Sequence, residues 1–325
     1  MKMTKAKTLL SAIASAAILS ACGGGGGDSS TPPVNSNPPA ANTSNVKLAD
    51  ATNNFSNVKT AYAATSYAGQ NVFTLYQFLL EDVLLAANTS TAGTQTLSCP
   101  SGGSLTLTLT DADNSKSVTT GDTANVTFNS CQDTLSSTTM TLTGAASFAV
   151  KSATGTVGAT SSDWTLTVDE TASQFKATAG GASALINGTM TLKTQYTASD
   201  RTSYISATSS NVTAAHTSAS GNVITVGMPN FTINDLYSAN SGTDTVSLNG
   251  MLSVLFNKGA SQLYLTVATP TNLVASNGAV SSGSVSLTSG TENSLATYAG
   301  ANAISISGAA TVQTSPSELN AILTN

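Results

Sequence analysis

The stretch "SLTLTLT" (Ser104–Thr110) puts Leu105, Leu107 and Leu109 on one side of an extended chain and threonines on the other. That two-residue period belongs to a strand with one dry face and one wet face. The same rhythm returns in "NVTFNS", "TMTLTG", "DWTLTV", "GTMTLKTQY", "NVITVGM", "DTVSLNGMLSVLF", "QLYLTVAT", "GSVSLTS" and "NAISISG". Threonine favours strands and solvates an exposed sheet face without charge. Turn-forming residues separate the segments: Asp113-Asn114, Thr120-Gly121-Asp122, Gly180-Gly181, Ser241-Gly242, Asn257-Lys258-Gly259 and Asn277-Gly278. The pattern predicts a mainly β protein, with an antiparallel meander of ten or more strands across residues 95–325.

Composition agrees with that reading. Only 8% of the 325 residues are charged, about a third of the ~25% usual for soluble domains. A polar chain of this kind can be disordered, but disorder usually brings high net charge, and here it is −5. Serine and threonine hydroxyls take the place of charges on the wet faces.

A different period precedes the strands. In Ser66–Asn88, "SYAGQNVFTLYQFLLEDVLLAAN", residues Val72, Phe73, Tyr76, Leu79, Leu80, Val83 and Leu84 recur at spacings of three and four. Leu75, Phe78 and Leu85 widen this helical stripe past half the circumference, as in a helix that is mostly buried. The Ala- and Asn-rich stretch 45–65 is expected to form a second, weaker helix. The helical segment therefore covers residues 46–94, packed on a curved half-barrel or sandwich-like sheet. One tryptophan and 5% aromatic residues argue against a transmembrane barrel, which needs aromatic girdles.

A weak internal duplication is suggested by similar segments in the same order, about 139–192 and 245–287. Gly144 in "TLTGAASFAV" matches Gly250 in "SLNGMLSVLF", "WTLTV" matches "LYLTV", and "NGTMTL" matches "SGSVSL".

At the N-terminus, Lys2, Lys5 and Lys7 precede an apolar run, Leu9–Leu19, too short for a membrane-spanning helix of about 20 residues. The run ends in Leu19-Ser20-Ala21-Cys22, which resembles the lipobox of bacterial lipoproteins. The resemblance implies that residues 1–21 are a cleaved signal peptide and that Cys22 carries acyl chains. Two or more such chains hold a protein stably in a membrane. Gly23 rather than Asp follows the cysteine, and the family's sorting rule then implies the outer membrane. Residues 22–45 form a Gly/Ser/Pro linker with an r.m.s. reach of roughly 25 Å. Loss of the three leader lysines leaves 8 basic residues against 16 acidic, a net charge of −8. No Lys/Arg cluster remains, so no nucleic-acid partner is expected.

With Cys22 acylated, Cys99 and Cys131 are the only remaining thiols. They are expected to pair, because such proteins fold in an oxidising compartment. Their midpoint falls in the polar turn "DADNSKSVTTGD", which places them near the open end of a hairpin. The segment "CPSGG…VTFNSC" resembles part of uncharacterised proteobacterial lipoproteins, a likeness that implies no activity.

Catalytic groupings are sparse. The single histidine, His216, is expected at the surface beside a Ser/Gly turn, and no Gly-x-Ser-x-Gly elbow accompanies it. Asp169-Glu170 is expected in a turn after "WTLTV". Asp111, Asp113, Asn114 and Asp122 offer oxygen ligands for calcium but lack a full loop and a bidentate Glu. No cofactor is expected. The expected role is a non-enzymatic structural or interaction role on the outer membrane, with an envelope protein as partner. The alternative is a carrier of an apolar ligand such as lipid, lined by Leu166, Met190 and Leu265. Half-barrel carriers of lipoproteins and lipopolysaccharide resemble the expected fold, at fold level alone. A hydrolase of envelope polymers is a distant third.

Overall fold

The computed structural model describes residues 43–87, 92–135, 138–276, 279–308 and 311–324. The expected signal peptide, Cys22, most of the linker and the Asn277-Gly278 turn lie outside the described residues. The alternating segments form one antiparallel sheet of fifteen strands. In chain order these are β1 (Gly93–Ser98), β2 (Ser104–Thr110), β3 (Thr123–Leu135), β4 (Thr138–Thr154), β5 (Trp164–Ala179), β6 (Ala182–Thr197), β7 (Thr202–Ser209), β8 (Val212–Thr217), β9 (Val223–Ser238), β10 (Thr243–Phe256), β11 (Ser261–Ser276), β12 (Ala279–Ser289), β13 (Glu292–Ala299), β14 (Ile304–Ser307) and β15 (Val312–Thr314). Each strand pairs with its chain neighbours, with one detail. β7 and β8 are successive halves of one line, both lying between β6 and β9. The line breaks at Ser210-Asn211, where the Asn211 carboxamide accepts from the Thr189 amide at 2.9 Å.

The helical region differs from the expected pair. α1 (Ser56–Ser66) runs through a π-helical segment, Tyr67–Val72, into α2 (Phe73–Ala87), giving one continuous rod. π turns widen a helix where packing demands it. Here Gly69 lies against the Leu248 side chain of β10, so close that a β-carbon would stand 2.9 Å from it. Past Ser56, no residue of the rod through Leu84 is exposed, and Ala61, Ala64, Ala68, Val72 and Tyr76 are wholly buried. The helix is therefore enclosed on most sides rather than laid on one face, with Lys59, Ser66, Gln70, Gln77 and Glu81 half-buried along one polar edge. Its contacts come from well-separated strands. The Tyr76 hydroxyl donates to the Gly188 carbonyl of β6 at 2.8 Å, and the Tyr62 hydroxyl donates to the Val285 carbonyl of β12 at 3.1 Å. Leu107, Leu142, Leu166, Met190, Ile233, Leu265 and Leu287 from the strands share one core with Leu75, Tyr76 and Leu79 of the rod. Truncating one such leucine to alanine costs about 2–5 kcal/mol.

A sheet surrounds a helix only if it bends, and the bend has a visible cause. Irregular pairing crosses the middle of successive strands: β3 shifts register between Phe128 and Cys131, β4 at Gly144, β5 between Ala172 and Phe175, and β10 at Gly250. Bulges of this kind kink a strand and sharpen its twist. Gly144 and Gly250 have φ of +90° and +127°. A methyl group on either would overlap a neighbouring bulge's carbonyl oxygen, that of Gln174 or Asn230. Gly188 and Gly283 meet the Asn211 and Asn272 carbonyls in the same way. The glycines shared by the two similar segments, Gly144 with Gly250 and Gly188 with Gly283, thus all sit on this crease.

The C-terminal helix was not expected. α3 (Pro316–Thr324) packs on α1 and buries Leu319 and Leu323. Its start is a capping box. The Ser315 hydroxyl accepts from the Glu318 amide at 3.2 Å, Pro316 opens the helix, and the Glu318 carboxylate accepts from the Thr314 hydroxyl at 2.7 Å.

The Cys99–Cys131 disulfide is present, with Cα atoms 5.4 Å apart. It closes the β2–β3 hairpin at the end opposite the 111–122 turn. Closing a loop of that length is worth roughly 3.7 kcal/mol in the chain-entropy model.

Because Gly144 and Gly250 combine a positive φ with backbone contact, Gly144→Ala and Gly250→Ala are each expected to lose more than about 3 kcal/mol of stability. Gly221→Ala, in a turn with open space around it, should lose less. Urea unfolding of the three variants measures the difference.

Candidate functional site: acids inside the sheet

Strand alternation has an unusual outcome in β5. Leu166, Val168, Glu170 and Ala172 all point into the core, while Asp169 points out. The Asp169-Glu170 turn is thereby corrected: the two residues lie mid-strand, on opposite faces, and do not form a paired-carboxylate site. Asp169 is solvated, ion-paired to Lys151 at 3.2 Å, and accepts from the Thr191 hydroxyl at 2.7 Å. Glu170 is 0% exposed, and neither carboxyl oxygen has a hydrogen-bond partner among the described residues. Burial pushes its carboxyl well above the usual range. Burial, and then the nearby Glu170, also raise the Tyr76 phenol.

Two more acids lie inside. On β9, Phe231, Ile233 and Asp235 share the inward face, and on β10 Asp244 and Leu248 do. In the β9–β10 ladder Asp235 stands opposite Val246 and Asp244 opposite Tyr237. The two acids are diagonal neighbours on one face, about 7–8 Å apart at the backbone. Asp235 is 5% exposed and Asp244 1%. Asp235 Oδ1 and Asp244 Oδ2 are both buried without a hydrogen-bond partner among the described residues. Burial, reinforced by Asp244, pushes the Asp235 carboxyl up to about 8. Burial pushes Asp244 up to about 6.

His216 departs from expectation. β8 turns it inward, 7% exposed. Its Nε2–H donates to the Leu323 carbonyl of α3 at 2.9 Å, and its ring lies 5.3 Å from that of Tyr67. Burial lowers its pKa, opposed by the Leu323 carbonyl. It joins α3 to the sheet and the rod. The expected cavity-lining residues Leu166, Met190 and Leu265 are at most 1% exposed, in the core that includes the rod.

The acidic turn does bring Asp111, Asp113 and Asp122 together, with one oxygen of each inside 4.8 Å. Those carboxylates already cap the turn's backbone. Asp111 accepts from the Ser115 and Lys116 amides, Asp113 from Ser115, and Asp122 from Ala112 and Thr119. Hydrogen bonding, with Ser115 first, lowers the Asp113 pKa. Turn closure accounts for this cluster.

Sequence reading missed Glu170, Asp235 and Asp244 as interior groups, yet a signal exists. In "FTIND" and "TDTVSL" the acids occupy the parity of Phe231, Ile233, Val246 and Leu248. An acid in phase with the apolar residues of a strand is an interior acid.

The raised acids fix a pH dependence. Folded Asp235 and Asp244 hold protons that unfolded aspartates, with pKa about 3.9, release. Stability from this pair is full below about pH 4 and is lost as pH rises towards about 8. Asp235→Asn/Asp244→Asn is expected to flatten that fall, measured by urea unfolding between pH 5 and pH 9. Glu170→Met is expected to stabilise the protein by about 1–3 kcal/mol, because it removes a buried carboxyl with no partner. Thermal melts read that gain. No family model, curated protein or solved structure matches the chain.

Proposed function

We propose that this chain is a bacterial envelope lipoprotein, anchored to the outer membrane through Cys22, with a non-enzymatic structural or interaction role. The observation that carries the second half is the rod. A helix enclosed on most sides through Leu84 by sheet and α3 takes up the interior that a carrier of apolar ligand would leave open. That supports a domain whose outer surface does the work. The lipobox-like Leu19-Ser20-Ala21-Cys22 supports the anchor, and the Gly/Ser/Pro linker supports a domain held clear of the bilayer. No described helix is long and apolar enough to cross a membrane.

The anchor and the role are tested separately. Cys22→Ser is expected to move the protein from the membrane pellet to the soluble fraction, and retention in the pellet would remove the anchor from the reading. Native mass spectrometry of protein extracted from envelopes is expected to show a protein partner and no bound lipid. A stoichiometric lipid would overturn the structural role in favour of a carrier.

A further inference from the structure

We propose that Asp235 and Asp244 form a binding site for a divalent cation of the calcium class, just inside one rim of the sheet. Two carboxylates on neighbouring strands point inward from diagonal positions, and each has a buried oxygen with no partner among the described residues. A cation between them satisfies both, and its charge offsets their mutual repulsion.

Position and chemistry select the ligand. Asp244 is the second residue of β10, two residues past Gly242 in the turn that joins β9 to β10. A small ion reaches this depth from the rim, whereas a larger ligand meets the close-packed core. All the donors are oxygens, as hard cations require. Ser203 of β7 and Tyr237 of β9 hold positions in the row of Asp244, so a hydroxyl and a phenol share its face of the sheet. The two carboxylates come from diagonal positions, two residues apart along the ladder. Calcium accepts such an irregular set and completes it with water, while magnesium demands a near-regular octahedron. The site differs from the 111–122 turn, whose carboxylates are engaged by backbone amides.

Calcium chloride titrated into the purified full chain tests this, read by thermal melting and by terbium luminescence sensitised through tyrosine. The wild type and an Asp111→Asn/Asp122→Asn variant are expected to bind one equivalent and to melt several degrees higher with calcium. Asp235→Asn/Asp244→Asn is expected to lose both responses. Asp244→Asn alone, which guards against a folding defect in the double variant, should keep a cooperative melt and bind at least tenfold more weakly. The proposal is overturned if the wild type shows no response at ~10 mM calcium, above the millimolar range of weak extracellular sites. It is equally overturned if the response survives in Asp235→Asn/Asp244→Asn or disappears in Asp111→Asn/Asp122→Asn.

Discussion

A helix that is apolar over more than half its circumference cannot rest on one flat surface, because part of that apolar face would be left to water. That constraint organises this molecule. The rod from Ser56 to Ala87 needs walls on several sides, and a single sheet supplies them by bending across its middle. Bending costs regular backbone pairing, which the bulges and crease glycines absorb locally. The tyrosines then fit a pattern. Tyr62 and Tyr76 bury large rings on the rod, and their hydroxyls bond strand carbonyls, as buried phenols require.

Strand-to-strand order is as simple as a sheet allows. Almost every pairing joins chain neighbours, so the sheet can form hairpin by hairpin with short loops to close. The long-range steps are docking of the rod and of α3. His216 links both, through the Tyr67 ring and the Leu323 carbonyl.

Much of the architecture was legible in the sequence because it rests on periodicity. "SLTLTLT" and its relatives become strands, the apolar stretch from Ser66 becomes part of a largely buried helix that runs to Ala87, and Cys99 and Cys131 pair across a hairpin. What escaped depends on surroundings. The weaker helix expected in 45–65 forms over Ser56–Ser66, but as the largely buried first part of one rod, because α2 carries it into the sheet. His216 sits beside a polar turn and reads as a surface residue, but α3, far along the chain, covers it. The cap at Ser315-Pro316-Ser317-Glu318 is a helix-start signal in the sequence, isolated in a stretch dominated by strand periodicity. The interior acids needed strand phase as well as residue type: Glu170 is one position from Asp169, and that single step separates core from solvent.

The hydroxyls on the outer face have one further consequence. Thr94 bonds Thr108 at 2.9 Å, Thr154 bonds Thr165 at 2.7 Å, and Thr171 bonds Thr189 at 2.8 Å across neighbouring strands. Such ladders join neutral hydroxyls, which carry no net charge for dissolved ions to screen. Dissolved salt therefore has little to screen there. A surface built on threonine keeps its cohesion from brackish to nearly ion-free water, where one stitched with lysine–glutamate pairs would tighten or loosen with the medium.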